Sequence, residues 1–112
     1  MKYAGIMVFY SKIAKQDLKR IFNGLLTWSK HKLEYNHVVS YHNNILEICD
    51  NLDSKSFHFN TQYSLHKRYG EKVHTYRRSK QTNWYIIYNL DRHGNVYIQS
   101  IISNHSTIAE AK

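Results

Sequence analysis

The sequence predicts an α+β domain in which a helical hairpin packs on one face of a mostly antiparallel, twisted sheet, in the order β-α-α-β-β-β-β. Three observations support this fold class. Apolar residues recur every three to four positions in the first half of the chain, they alternate in the second half, and clusters of Gly, Asn and Asp separate the segments. Because the chain has 112 residues, we expect one domain, residues 1–112, with a single core.

The first half of the chain is predicted to contain one strand and two helices. Residues Tyr3–Phe9 are apolar, which suits a buried strand, and Ser11 can cap the helix that follows. This helix, of about 18 residues, is predicted from the apolar period of Ile13, Ala14, Leu18, Ile21, Phe22, Leu25 and Leu26. A second period runs from Val38 to Leu52, after a break near Ser29–Lys32. Because the helices are joined closely, we expect an antiparallel hairpin.

The second half of the chain is predicted to form the rest of the sheet. Residues 53–63 are expected to be a loop with Phe57 and Phe59 against the core. The alternating segments that follow predict four strands, at Leu65–Tyr69, Val73–Ser79, Asn83–Leu90 and Val96–Ser103. Residues 91–95, with Gly94, are typical of a five-residue hairpin loop.

The charge of the chain indicates a polyanionic partner. The net charge is +8 at pH 7, which attracts nucleic acid, an acidic membrane surface or an acidic protein. The basic residues concentrate between positions 66 and 80. This segment has one acidic residue, Glu71, and six basic ones: Lys67, Arg68, Lys72, Arg77, Arg78 and Lys80. These cations are candidate phosphate ligands; the alternative is a solvated basic face.

Several classes of site and location are disfavoured by the sequence. The single cysteine, Cys49, excludes an internal disulfide and fits a reducing, cytoplasmic compartment. No segment approaches the roughly 20 apolar residues of a membrane span, and no secretory leader is expected. The eight histidines form no HExxH, HxH or Cys-His cluster, and there is no Gly-rich phosphate loop. We therefore expect no metal, no cofactor and no membrane partner.

The segment VHTYRRS contains two adjacent arginines on one predicted strand. Alternation puts Val73, Thr75 and Arg77 on one face of the sheet and His74, Tyr76 and Arg78 on the other. Because helices are predicted to cover one face only, at least one arginine, with an aromatic residue and a histidine beside it, is expected to point away from the helices. An exposed cationic strand of this kind can hold a phosphate.

Three stretches of the chain together resemble the RelE/ParE toxin superfamily. The first is the opening MVFYSKIAKQDLKRIFNGL, which has a strand, a Ser and an Asp-Leu pair. The second is YRRSKQTNWYIIYNL, which matches the paired strands of the family. The third is VYIQSIISNH, which matches its last strand and closing His. The resemblance extends from about Ile6 to Ser106. It implies a bacterial toxin with a helical hairpin on a twisted sheet, held silent by a cognate antitoxin. RelE-like members cut mRNA in the ribosomal A site, whereas ParE-like members inhibit DNA gyrase.

The resemblance also implies which residues carry the activity. Metal-free RNA cleavage needs a base, cations to stabilise the phosphorane and an acid for the leaving oxygen. His105 matches the closing His of the family, as general acid or base, and Arg77 or Arg78 matches its phosphate-binding Arg. Arg68, Lys67, Lys72, Lys80, Tyr76 and His74 are further candidates for RNA contacts.

Three functions remain open from the sequence. The first is a ribosome-dependent mRNA endonuclease, whose partners are the ribosome, mRNA and the antitoxin. The second is a non-catalytic inhibitor of DNA gyrase, which is favoured by Trp84-Tyr85 at a place where many members carry an Arg. The third is a basic nucleic-acid-binding domain without toxicity.

Overall fold

A helical hairpin and a five-stranded mixed sheet make up an α+β fold. The computed structural model describes residues 7–28, 35–54 and 57–104. The elements, in chain order, are β1 (Val8–Tyr10), α1 (Lys12–Trp28), α2 (Tyr35–Asp50), β2 (Phe59–Asn60), α3 (Ser64–Lys67), β3 (Lys72–Arg77), β4 (Asn83–Leu90) and β5 (Val96–Ser103). A 3₁₀ turn at Leu52–Ser54 follows α2.

The strands are arranged in the order β1-β5-β4-β3-β2, so that β4 is central. Neighbouring strands are antiparallel except β1 and β5, which run parallel with Val8 opposite Val96. The bounds predicted for β4 and β5 are confirmed, as is the hairpin loop between them. Of the predicted first strand, residues 3–6 lie outside the described residues, and the described strand ends at Tyr10.

The two long helices form the antiparallel hairpin that the sequence predicts. The ring of Phe22, late in α1, lies 6.3 Å from that of Tyr35 and 5.2 Å from that of His42, measured between centroids. Further along, His42 Nε2 lies 3.2 Å from the carbonyl oxygen of Leu18. The predicted break at Ser29–Lys32 falls outside the described residues. None of the described helices is long and apolar enough to cross a membrane.

The core lies between the hairpin and one face of the sheet, which we call the helix face. Its buried members come from both helices, the 3₁₀ turn, β4 and β5, and they include Ala14, Leu18, Ile45, Cys49, Trp84, Ile86, Tyr88 and Ile98. Burial raises the pKa of the Cys49 thiol to about 12, so this cysteine stays protonated and packs as a small apolar side chain.

A polar anchor joins α1 to β5 at a bulge. Ile87 pairs with Ser100 whereas Tyr88 pairs with Ile98, which leaves Gln99 as the extra residue. The Ser11 hydroxyl caps α1 by accepting from the Ala14 amide at 3.0 Å, as predicted, and it donates to the Gln99 carbonyl at 2.9 Å. The N-terminus of α1 is thereby fixed against the bulge.

The predicted strand at Leu65–Tyr69 is wrong, because this segment forms the single turn of α3. Its amides bond to carbonyls four residues earlier, as from Lys67 to Tyr63 at 2.9 Å. Short apolar runs do not distinguish a strand from one helical turn. The segment packs on the face of the sheet opposite the hairpin, which we call the second face. A Cβ built on Gly70 would lie 3.0 Å from Ile87 Cγ2, so a larger residue there would require its neighbours to shift by a few tenths of an ångström.

The segment before α3 also differs from its prediction. Phe57 and Phe59 do not pack against the core but are 64% and 63% exposed. Within the predicted loop 53–63, Phe59–Asn60 pairs with β3 and forms the edge of the sheet. The strand forms because Phe59 lies opposite Val73, at an edge of β3 that no other described strand covers.

Two glycine substitutions are expected to change stability in opposite directions. Gly94 has φ of 91° in the β4–β5 loop, so Gly94→Ala should destabilise the fold by about 1 kcal/mol through backbone strain. Gly24 lies within α1 with open space around its Cα, so Gly24→Ala should stabilise by about 0.5–1 kcal/mol. Urea unfolding midpoints of the two variants measure both effects, and a shift in the same direction for both would contradict this view.

Candidate functional site

The two adjacent arginines lie on different faces of the sheet. Tyr76 pairs with Trp84 and packs against the core on the helix face, and the next residue, Arg77, is exposed on the second face. Arg78 follows the end of β3 and returns to the helix side, where its Cζ lies 4.2 Å from the ring centroid of Tyr41 in α2. At least one arginine, Arg77, therefore points away from the helices as expected. The aromatic residue and the histidine expected beside it do not, because Tyr76 and His74 lie on the helix face together with Arg78.

The reason for this arrangement is the aromatic ring of Tyr76. Sheet residues that alternate with Tyr76 must share its face, and burying that ring against α2 removes apolar surface from water. His74 accordingly faces α2 as well. Arg78, the residue after β3, is exposed at the rim of the same interface.

Four side chains at this rim form what we call the Arg78 cluster: Tyr41, Tyr76, Arg78 and Trp84. Arg78 Nη1 donates to Tyr76 Oη at 3.1 Å, and its guanidinium lies over the Tyr41 ring. Trp84 Nε1 donates to Tyr41 Oη at 2.8 Å. The guanidinium is thus positioned by a ring below it and a hydroxyl beside it, and its side chain, with five N–H donors, is exposed to solvent.

The turn that carries Arg78 is fixed to the end of β5. The backbone amide of Arg78 donates to the Thr82 carbonyl at 2.9 Å. Asn104 accepts from the Asn83 amide and donates to the Gln81 carbonyl, both at 3.0 Å. The predicted catalytic residue His105 follows Asn104 in the sequence and lies outside the described residues.

A groove of about 410 Å³ adjoins the Arg78 cluster between α2 and β3. Tyr76 and His74 line one side of it, and the other side is formed by α2 and the turn after it, through Asn44, Glu47, Ile48, Asn51 and Leu52. Glu47 and His74 are proton-accepting groups on opposite walls. Sequence reasoning did not single out Glu47 or Tyr41. Glu47 could have been found from the spacing of Asn44, Glu47 and Asn51, which are three and four residues apart and so form a polar row beside the apolar stripe of the helix.

The remaining predicted cations do not join this site. Lys67 and Arg68 are exposed at the end of α3, on the second face, and Lys80 is exposed in the β3–β4 turn. Lys72 Nζ donates to Asn60 Oδ1 at 2.6 Å and so belongs to the sheet edge. Within the described residues, no group of three His, Cys, Asp or Glu side chains could hold a metal ion. The basic segment 66–80 is therefore divided between the two faces.

Tyr41 is a binding group rather than a base. Burial raises the pKa of Tyr41, and the hydrogen bond with Trp84 and the charge of Arg78 oppose that effect only in part. The Tyr41 phenol therefore stays protonated at neutral pH, which preserves both the hydrogen bond with Trp84 and the ring under Arg78. A neutral ring with a cation above it suits a site that binds an anion next to a flat surface.

Replacing Tyr41 by Phe is expected to destabilise the fold by about 1–2 kcal/mol, because the buried indole N–H of Trp84 loses its acceptor. The matched control is Tyr35→Phe on the same helix, where the side chain is 61% exposed and the change should stay within about 0.5 kcal/mol. Urea unfolding followed by Trp fluorescence measures both. Equal effects of the two substitutions would show that the Trp84–Tyr41 bond is unimportant.

Similarity to known proteins adds no independent indication of the role of this site. No family model matches the sequence, and no curated protein or solved structure matches it. The arrangement of side chains in the groove and the Arg78 cluster is therefore the observation from which function is inferred.

Proposed function

We propose that this chain is a toxin of the RelE/ParE kind that cleaves ribosome-bound mRNA without a metal ion, with Arg78 as the main phosphate ligand. The observation that carries the proposal is the position of Arg78, which is held over Tyr41 at the rim of a groove that also contains Glu47 and His74. An arginine oriented in this way offers paired N–H donors to two phosphate oxygens.

The reaction that fits these groups is transfer of the phosphate to the neighbouring 2′-oxygen. A base removes the proton of the 2′-hydroxyl, the 2′-oxygen attacks phosphorus, and the 5′-oxygen leaves with a proton from an acid, giving a 2′,3′-cyclic phosphate. Glu47 and His74 line the groove and can accept the first proton. Arg78 stabilises the negative charge of the phosphorane, and His105 is assigned as the acid.

The overall charge supports a nucleic-acid target. A net charge of +8 raises the rate of encounter with the ribosome and with mRNA, and it favours an acidic antitoxin as the silencing partner. Because this attraction is screened, association with RNA is expected to weaken steeply as salt is raised.

One observation favours the second candidate function, inhibition of DNA gyrase without catalysis. Trp84-Tyr85 stands on β4 where many members of the superfamily carry an Arg just before the aliphatic pair. Trp84 is 9% exposed and hydrogen-bonded to Tyr41, so it supplies packing rather than positive charge. In that case the exposed cations would bind a protein or DNA surface. A non-toxic nucleic-acid-binding role would use the same surface.

Induced expression in bacteria separates these functions. We expect incorporation of labelled amino acids to stop before that of labelled thymidine, and co-expression of a cognate acidic antitoxin to restore growth. Loss of plasmid supercoiling with intact messages would instead identify gyrase as the target. Growth that is unaffected by expression would leave only the non-toxic binding role.

A further inference from the structure

A second pocket lies on the second face of the sheet, away from the Arg78 cluster. It has a volume of about 200 Å³ and is enclosed by β2, α3 and the two strands beneath them. Its lining includes the aromatic side chains of Phe59, Tyr63 and Tyr85 and the imidazole of His66, together with Val73 and Thr75. Neither the predicted site nor the proposed mechanism uses this pocket.

The imidazole of His66 is the unusual group in this lining. The residue is 1% exposed, and its Nε2 is buried without a hydrogen-bond partner among the described residues. Its ring contacts are aromatic, with Tyr63 at 5.3 Å and 85° and Tyr85 at 4.6 Å and 44°. Buried polar atoms in native proteins are nearly always paired, so an unpaired nitrogen at a pocket points to a ligand that supplies the partner.

The protonation of His66 suits a neutral, hydrogen-bonding ligand. Burial lowers the pKa of this imidazole, which is therefore uncharged at neutral pH. A neutral imidazole can act as donor or acceptor at Nε2, according to its tautomer. The base edges of nucleic acids present both kinds of group.

The mouth of the pocket combines exposed aromatic rings with positive charge. Phe59 and Tyr63 are 63% and 66% exposed, so their rings are open to solvent at the edge of the pocket. Lys67 and Arg68 follow His66 directly and are exposed, and exposed Arg77 follows Thr75 on the same face. Aromatic rings for stacking, surrounded by cations for the backbone, are typical of surfaces that bind single-stranded nucleic acid.

We propose that this pocket binds one unpaired base of RNA, which stacks on the aromatic side chains and hydrogen-bonds with His66 Nε2 while its phosphates lie among Lys67, Arg68 and Arg77. This inference rests on the proposed function, for which it names an RNA-binding subsite outside the cleavage groove. The volume of about 200 Å³ is below the roughly 300–1,000 Å³ of pockets for whole drug-sized ligands, so it suits a single ring system. An aliphatic side chain of a protein partner would leave Nε2 unpaired.

Binding of a short RNA tests the proposal without cleavage or ribosomes. The probe is a fluorescent hexanucleotide with 2′-O-methyl groups, which cannot form a cyclic phosphate, compared with an abasic oligomer of the same length and charge. We expect the abasic oligomer to bind about 10-fold more weakly, because stacking contributes about 1–3 kcal/mol per base, or about 5- to 150-fold. Fluorescence anisotropy gives both dissociation constants.

Matched variants locate the effect in the pocket. Tyr63→Ala is expected to weaken binding of the hexanucleotide by about 10-fold and to leave the abasic oligomer unaffected. Tyr35→Ala is the control, since this tyrosine is similarly exposed but belongs to α2. His66→Phe keeps an aromatic ring but removes Nε2, and it should also weaken binding. In an NMR titration of the wild-type protein, the resonances of the His66 ring should shift when the hexanucleotide is added. This measurement does not depend on whether any variant folds.

The outcomes separate this proposal from the proposed function. Equal affinity for the two oligomers, or equal binding by Tyr63→Ala and Tyr35→Ala, overturns the base pocket even if the protein cleaves ribosome-bound mRNA. Base-dependent binding that Tyr63→Ala removes supports the pocket even if no cleavage is seen, and in that case only the nuclease function is lost.

Discussion

Asp17→Ala is expected to lower the free energy of unfolding by about 3 kcal/mol, and the melting temperature by about 10–15 °C. Asp17 is 2% exposed, and its carboxylate accepts hydrogen bonds from Ser100 Oγ at 2.7 Å and from the Ile101 amide at 3.0 Å. Without it, a buried amide and a buried hydroxyl next to the β5 bulge lose their partner, and α1 loses one of its polar attachments to the sheet. Thermal and urea unfolding measure the effect.

Two controls distinguish the hydrogen bonds between Asp17 and β5 from a general effect of charge. Arg20 also pairs with Asp17, but its side chain is 72% exposed, so Arg20→Ala should destabilise by less than about 1 kcal/mol. Glu71→Ala, an exposed acidic residue in a loop, should change stability by about 0.5 kcal/mol or less. A loss at Asp17 no larger than that at Arg20 would mean that the hydrogen bonds to β5 contribute little.

Arg78→Ala is expected to reduce the rate of mRNA cleavage by about 100- to 1,000-fold, the effect of removing one donor to a developing negative charge. Arg92→Ala is the matched control, because it removes the same charge from an exposed position in the β4–β5 loop that neither proposed site uses, and it should change the rate by less than about 3-fold. Arg78→Lys should restore the rate only in part, since an ammonium lacks the paired N–H groups and the ring stacking. Single-turnover cleavage of ribosome-bound message gives these rates.

The interpretation of the Arg78 variants requires an intact fold. Arg78 is exposed, and its contacts are with Tyr41 and Tyr76, so its replacement should cost about 1 kcal/mol or less. A variant that is inactive but unfolds at nearly the wild-type urea concentration has lost chemistry rather than structure. A larger loss of rate for Arg77→Ala than for Arg78→Ala would move the cleavage site to the second face.

The sequence predicted the strands with clear alternation and clear turns, and it failed where a segment was short. The bounds of β4 and β5 could be predicted because an apolar run lies on either side of a Gly-containing loop. The role of Ser11 as a helix cap could be predicted because it directly precedes the helical period. α3 was missed because a single turn carries no period of its own. Its formation depends on His66 packing against Tyr85, a contact between separate elements.

The candidate site was predicted in part for a similar reason. Alternation shows that Arg77 and Arg78 project to opposite faces, but it does not show which face the helices cover. That choice is made by the burial of Tyr76 against α2. Tyr41 and Glu47 were not identified because their approach to β3 depends on how α2 is rotated on the sheet, which periodicity within one helix does not define.

Primer extension on a reporter mRNA in a purified translation system tests the proposed function most directly. We predict new 5′ ends at codon-spaced positions when the protein and ribosomes are both present, and none when the ribosomes are omitted. An intact message in the presence of ribosomes would contradict the nuclease function, and Arg78 would then have to be regarded as part of a binding surface, for which gyrase supercoiling is the next assay.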